Sequence, residues 1–298
     1  MRMSNTPDVS IRPAEPADIP AIRGILAAYG NDDDPATRLG ADIVGPYVTH
    51  LIAHHRALLA ETAGGEHDGF VVAYGAVTFA GSIAHLADLF VRDGLRGQGI
   101  GTRLLRALFA DTTHRTTFAS DDPRAMPSYV RAGMLPRWPL LYLDGSEDAV
   151  GRLDPAVHQT RDADPLALAT LEALWTDNWR PADHAFWASQ AGADAFVVID
   201  GGGEPVALGY GRSRQLSASG RALDRLVVAP DADPVATVAA AIRRVPRGGS
   251  TSITLPGPHP ALPMLLRCGF RITNQDTYMA GPADAIDLLR LLPNNGML

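Results

Sequence analysis

Residues 91–105 read VRDGLRGQGIGTRLL. Gly97, Gly99 and Gly101 fall on alternate positions between an apolar, strand-like run and a helix-like run. Glycines on alternate positions lay the backbone bare where a helix begins, and the first amides of a helix have no partner inside it. An anion placed there meets those amides and the positive end of the helix dipole. The stretch therefore points to a ligand carrying phosphate, and which ligand it is decides the fold. A glycine-rich turn that only lets helix and strand pack closely stays open as the alternative.

Two phosphate-binding patterns are tested and rejected. A P-loop requires G-x-x-x-x-G-K-[ST]; Gly94 and Gly99 have the spacing, but Ile100 stands where the lysine belongs. A dinucleotide fingerprint requires G-x-G-x-x-G; Gly97 and Gly99 fit, and Thr102 takes the third position. The loop also follows a third or fourth strand rather than the first strand of a βαβ unit.

Toward the N-terminus, SIRPAEPADIPAIRGILAAYG predicts a strand over residues 9–13 and a helix from Pro16 to Tyr29, with Ile19, Ile22, Ile25 and Leu26 on one face. NDDDPATRLGAD (31–42) reads as a polar loop, and PYVTHLIAHHRALL as a second helix running into a strand near 56–62. FVVAYGAVTFAG and SIAHLADLFVRD complete a meander of strands. After the glycines, Ile100, Leu104, Leu105, Leu108 and Phe109 share a helix face. RTTFAS is a strand. DDPRAMPSYVRAG is a short helix with Asp121 or Asp122 as N-cap and Gly133 as its stop. WPLLYLD is a strand, and DGSEDAVGRLD reads as a linker.

Within this order of elements, DLFVRDGLRGQGIGTRLL resembles motif A of the GCN5-related N-acetyltransferases (GNAT), a strand ending in Val followed by R/Q-x-x-G-x-G/A and a helix. The matching residues are Arg96, Gly99 and Gly101. A later family motif, Asn-x-x-Ala-x-x-x-Tyr ending in Gly-Phe, is met by Ala125, Tyr129 and Gly133, with Asp122 in place of the Asn and Met134 in place of the Phe. The resemblance covers residues 9 to about 145. It implies acetyl-CoA as co-substrate, bound by Leu89, Phe90, Val91, Arg96, Gly97, Gln98, Gly99, Ile100, Gly101 and Thr102. In the family the pantetheine arm pairs with the strand backbone, here at Phe90 and Val91, and the pyrophosphate lies over the amides from about Gly97 to Thr102. Tyr129 matches the tyrosine that protonates the coenzyme A sulfur; an unperturbed phenol, with a pKa of about 10, suits that role.

The base is Asp88. Relatives that acetylate small amines carry an acidic pair on this strand; here Ala87 stands at the first position and only Asp88 remains. An unpaired acid in an apolar strand is costly to bury, so Asp88 either draws a proton from the amine, attracts the cation, or bonds to a neighbouring loop. Glu61, His85 and Tyr74 are further groups near the expected cleft.

The order of elements then repeats, from a helix at 165–176 to a strand in DTYMA. LADLFVRDGLR aligns with LDRLVVAPDAD, pairing Leu89 with Leu226 and Val91 with Val228, and PSYVRAG aligns with PMLLRCG. The fold expected is α+β, two tandem GNAT-like domains, each a mixed, mostly antiparallel sheet flanked by helices, over residues 1–148 and 155–298. In the second copy Arg96 aligns with Asp233, Gly99 with Ala236, Gly101 with Val238 and Tyr129 with Leu265, so it is expected to bind no coenzyme A and to wall the substrate cleft as a pseudo-dimer partner.

Composition narrows the remaining classes. At 298 residues, 46% hydrophobic and 20% charged, the chain suits two globular domains. A net charge of −7 argues against nucleic acid or an anionic membrane as partner. Cys268 is the only cysteine, which excludes an internal disulfide and a thiolate metal cluster. His50, His54 and His55 lack a third ligand at recognisable spacing, so no metal is expected. The N-terminal residues carry no apolar signal segment, and no run of about 18 apolar residues exists, so a cytoplasmic monomer or homodimer is expected. The expected activity is transfer of acetyl to a primary amine of a small molecule. A non-catalytic acyl-CoA sensor and a protein or peptide N-acetyltransferase are the alternatives.

Overall fold

The computed structural model describes residues 8–28, 40–64, 69–120, 122–154, 157–213, 220–245, 249–282, 285–294 and 296–298. Tyr29, Asp121 and the acidic stretch 31–39 lie outside the described residues, while 40–42 are helical rather than loop. The chain divides into two compact units, residues 1–117 with 126–134, and residues 118–125 with 135–298.

The first unit comprises β1 (Val9–Pro13), α1 (Ile19–Ala27), α2 (Gly40–His54), β2 (Arg56–Thr62), β3 (Val71–Ala80), β4 (Ile83–Val91), α3 (Ile100–Leu108), β5 (His114–Ala119) and α4 (Ala125–Arg131). β1 to β4 form an antiparallel meander, and β5 pairs with β4 in parallel. Nearly every residue of β3 is buried. Helices on both faces explain it, through the two-residue alternation of a strand. Tyr74 and Ala76 join the core built by Ile22, Ile25, Val48 and Leu51 of α1 and α2. Gly75 faces the other way, where an added Cβ would stand 2.6 Å from Leu108 Cδ1 of α3. The start of α1 is pinned by Arg12, whose guanidinium bonds Asp18 at 2.7 and 2.8 Å and Glu61 at 3.0 Å.

The second unit comprises β6 (Leu135–Gly145), α5 (Glu147–Gly151), β7 (Gln159–Asp162), α6 (Pro165–Thr176), α7 (Pro181–Ser189), β8 (Ala193–Ile199), β9 (Pro205–Ser213), β10 (Arg221–Val228), α8 (Pro234–Arg244), β11 (Thr251–Pro256), α9 (Leu262–Arg267), β12 (Arg271–Gly281) and β13 (Leu291–Leu292). Its strands run in the order β7-β8-β9-β10-β11-β6-β12, with β13 also on β10. β6, the last strand of the first sequence repeat, lies between β11 and β12, antiparallel to both. The linker expected at 144–154 holds a helix: the Ser146 side chain accepts from Ala149 N at 3.2 Å, and Ala149 and Leu153 are buried in the core.

The repeat extends to backbone detail. On β4 the register against β3 jumps from Ala76↔Asp88 to Val77↔Leu86, so Ala87 is a β-bulge. On β10 the register against β9 jumps from Tyr210↔Arg225 to Gly211↔Leu223, which makes Asp224 the bulge. Asp224 is the residue that the sequence repeat aligns with Ala87. Gly75 and Gly209 match as well, since an added Cβ would lie 3.1 Å from Asp88 O in one case and 3.1 Å from Arg225 O in the other.

Candidate active site

The site is built where β4 and β5 part. Their parallel pairing covers only Ile83↔His114 to Leu86↔Thr117, and Thr117 Oγ1 ties the last rung by donating to Leu86 O at 3.0 Å. β4 continues to Val91 without β5 beside it. The bulge at Ala87 turns the strand at the point of separation. Leu89, Phe90 and Val91 therefore run along a notch, with Phe90 packing its ring toward the α1–α2 core and Leu89 lying on the α3 side near Gly75.

The three glycines serve two needs. Gly97 and Gly99 have φ of +79° and +82°, and nothing lies within 4 Å of where a Cβ would stand. These two are glycine because of backbone conformation, and they leave open space over the loop. Gly101 is different: an added Cβ would sit 3.3 Å from Val91 Cγ2, so here close packing of helix on strand is the reason. Gly99 is the left-handed N-cap of α3 and offers no side chain to its amides. The first helical bond runs from Arg103 N to Gly99 O at 3.0 Å, and the amides of Ile100, Gly101 and Thr102 precede it. Gln98 braces the loop by donating to Gly94 O at 3.1 Å.

Arg96 is half-buried and held, donating to Val91 O at 3.2 Å and pairing with Asp93 at 2.7 Å. A groove of about 440 Å³ leads from Thr102 between α3 and α4, past Arg106, Ser128 and Arg131. Tyr129 is on the same short helix, 8% exposed. The helix is stopped by Gly133 at φ +89°, and Met134 N returns to Tyr129 O at 3.1 Å. Asp122, where the family has Asn, opens this turn by accepting from Arg124 N at 2.9 Å.

Asp88 follows the bulge and points to the same face as Tyr74, with Tyr47 of α2 above it. Burial pushes its carboxyl up, hydrogen bonding by Tyr47 and Tyr74 pulls it down, and the balance leaves it at about 6. Asp88 Oδ2 and Tyr74 Oη are buried and meet no partner at hydrogen-bond distance, so the pull of Tyr74 is exerted across a longer gap. The other candidates are engaged elsewhere: Glu61 binds Arg12 at 3.0 Å, and His85, fully buried, shares a 3.0 Å hydrogen bond with Thr116. Tyr47 is the site residue the sequence reading passed over; its helix was evident, but no local pattern tied it to Asp88.

In the second unit each corresponding feature is closed. Asp233 caps α8, accepting from Val235 N at 2.8 Å and Ala236 N at 3.3 Å, and Pro234 removes a further amide. β10 and β11 part after Leu223↔Ile253, and there β13 pairs Leu291 and Leu292 with Val227 and Leu226. Val228 N donates to Arg290 O at 2.8 Å, and Arg290 Nε to Val228 O at 3.1 Å. Arg225 stands in the register place of Asp88 and makes two 2.8 Å bonds to Glu172, which also takes Arg180 and His184. Burial raises Glu172, but Arg225 and Arg180 outweigh it and hold the carboxyl well below the usual carboxylate range.

Residues 31–134 match the model of the acetyltransferase (GNAT) family. A putative acetyltransferase from Pyrococcus horikoshii superposes with a TM-score of 0.67 at 16% identity, over 96% of this chain and 94% of its own. A GCN5-related N-acetyltransferase from Anabaena variabilis gives 0.60 at 13% identity, over 92% and 72%. A tandem GNAT protein from the clavulanic acid biosynthesis pathway gives 0.58 at 14% identity, over 93% and 100%. No curated protein matches the sequence. Among the described residues no helix is long and apolar enough to cross a membrane. Residues 31–134 are thus similar to the GNAT acetyltransferase family, within a fold shared with tandem GNAT proteins.

Proposed function

We propose that the chain transfers acetyl from acetyl-CoA to a primary amine of a small molecule, at one site in the first unit. The observation that carries the reading is the notch between β4 and β5, opening beside an α3 N-terminus whose Gly97 and Gly99 leave bare backbone. Leu89 to Val91 offer a strand edge to an extended pantetheine arm, and the loop from Gly97 to Thr102 offers amides to a pyrophosphate. The groove past Arg106 and Arg131 suits the nucleotide end. Acetyl-CoA supplies an activated thioester.

The chain's own groups then divide the work. Asp88 takes a proton as the amine nitrogen bonds to the acetyl carbon; at about 6 its carboxylate is ionised at neutral pH yet basic enough to accept. A backbone N–H at the Ala87 bulge donates to the acetyl oxygen as it gains charge. Tyr129 gives its phenolic proton to the sulfur as the carbon–sulfur bond breaks. The second unit contributes no coenzyme site, because Asp233 and β13 occupy its equivalents.

The test is calorimetric titration of the protein with acetyl-CoA, followed by an amine panel read through free-thiol release. Cys268, the only protein thiol, is 8% exposed and adds little background. One site per chain with amine-dependent thiol release is expected; no acetyl-CoA binding would overturn the reading.

A further inference from the structure

Three histidine rings converge where α2 ends. His50 and His54 are four residues apart on α2, so their side chains share one face of the helix. Their ring centres stand 5.0 Å apart. His55 follows at i+5, which on a continuing helix points about 140° away from His50. The helix stops at His54 instead, and the turn into β2 brings the His55 ring centre to 5.3 Å from that of His50. A nitrogen of each of these two rings lies within 4.8 Å of the other. His50 is 7% exposed, so the central ring is withdrawn from water, while His54 is exposed. Phe79 N on β3 donates to His55 Nδ1 at 3.3 Å, so this nitrogen carries a lone pair rather than a proton.

These separations are those of imidazoles around one ion. With a zinc–nitrogen bond of about 2.0–2.1 Å, a ring centre stands about 3.2 Å from the metal, and two rings at the tetrahedral angle have centres about 5.2 Å apart. Imidazoles at i and i+4 of a helix make a chelating pair, and a third fixes the ion between them. We propose that His50, His54 and His55 form a site for a borderline divalent transition-metal ion, of the zinc, nickel and copper class. His50 is its inner ligand, and His54 closes over it from the exposed side. Imidazole nitrogens favour this class, whereas calcium and magnesium take oxygen donors. At His55 the ion displaces the long hydrogen bond from Phe79 and takes the same lone pair. Sequence spacing concealed the third ligand because His55 is off the helix face that His50 and His54 share. The chelating pair exists only while the last turn of α2 is helical, so the bound ion holds that turn in place.

The experiment takes the full, untagged chain, strips it of metal with a chelator, and titrates it with zinc chloride and separately with nickel chloride by calorimetry. One ion per chain is expected. His54→Ala removes an exposed ring and leaves the core alone. It is expected to weaken zinc binding at least about tenfold, since even the outer partners of metal-ligating histidines are worth that much. His55→Ala is expected to do the same, and His114→Ala, on β5, to change nothing. Cobalt chloride gives a spectroscopic reading: visible absorption of a tetrahedral ion in the parent chain, weakened in His54→Ala. Zinc should also raise the unfolding temperature of the parent chain but not of His54→Ala. No binding of zinc or nickel overturns the site. Zinc binding that both variants leave intact overturns it as well, and binding that only one of them weakens overturns the three-imidazole set.

Discussion

The carboxylate of Asp233 stands 2.8 Å from the amide of Val235, filling in the second unit the place that Gly99 leaves open in the first. Both positions open a helix after the fourth strand of a repeat, and one holds an internal anion where the other holds space. A phosphate approaching α8 would meet negative charge and amides already bonded. Calorimetry should therefore give a stoichiometry of one acetyl-CoA per chain. Gly99→Val, which forces a β-branched residue into a left-handed conformation and covers the amides, should abolish binding, while Ala236→Val should leave it unchanged.

Asp88 sets a pH dependence for both rate and stability. With a carboxyl at about 6, the amine-dependent kcat/KM should rise with pH through that value and flatten above it. Asp88→Asn should remove this limb and lower kcat by about 10² to 10⁴.

The stability effect has the opposite direction. A carboxyl raised on folding favours the folded state only when protonated, so its contribution is full below the unfolded value near 4 and lost as pH rises through about 6. Asp88→Asn should accordingly be more stable than the parent at pH 8, by roughly 1–3 kcal/mol, and equal to it below pH 4. Thermal unfolding at the two pH values checks it.

Tyr129→Phe removes one hydroxyl from the one buried residue of α4. The fold and the acetyl-CoA affinity should persist, with kcat lower by about 10² or more and KM for acetyl-CoA little changed.

In the second unit, Glu172 is the anion between two buried arginines. Glu172→Gln leaves Arg225, 1% exposed, without a counter-charge, and should cost about 3–5 kcal/mol in unfolding by denaturant. Acetyl-CoA binding measured below the transition should be unaffected, which separates a structural role from a functional one.

Much of the architecture was legible because it rests on local rules. The helix at Pro165–Thr176 follows from Asp164, whose side chain accepts from Leu166 N, and from Pro165 in its first turn. The glycine loop was legible because positive φ at Gly97 and Gly99 demands glycine. What escaped depends on partners far along the chain. β7, QTRD, is a short polar edge strand defined by its bonds to β8, and β13 is two leucines defined by β10. The α5 turn hid in an acidic, glycine-bearing run and is helical because Ala149 and Leu153 have a core to enter. Asp88 was legible as an acid in an apolar strand; that Tyr47 tops it is a tertiary fact.

The pairing of β13 with β10 also bears on the order in which the chain is made. Leu226 and Val227 are translated more than sixty residues before the Leu291–Leu292 strand that covers them. Through that interval the nascent unit holds an apolar strand edge of the kind that recruits other strands. β6 waits in the same way, since its partners β11 and β12 are synthesised over a hundred residues after it. The first unit's meander closes between neighbours and can form as it emerges. Ribosomal pausing or truncation before residue 291 would thus leave a finished first unit attached to an unfinished, aggregation-prone second one.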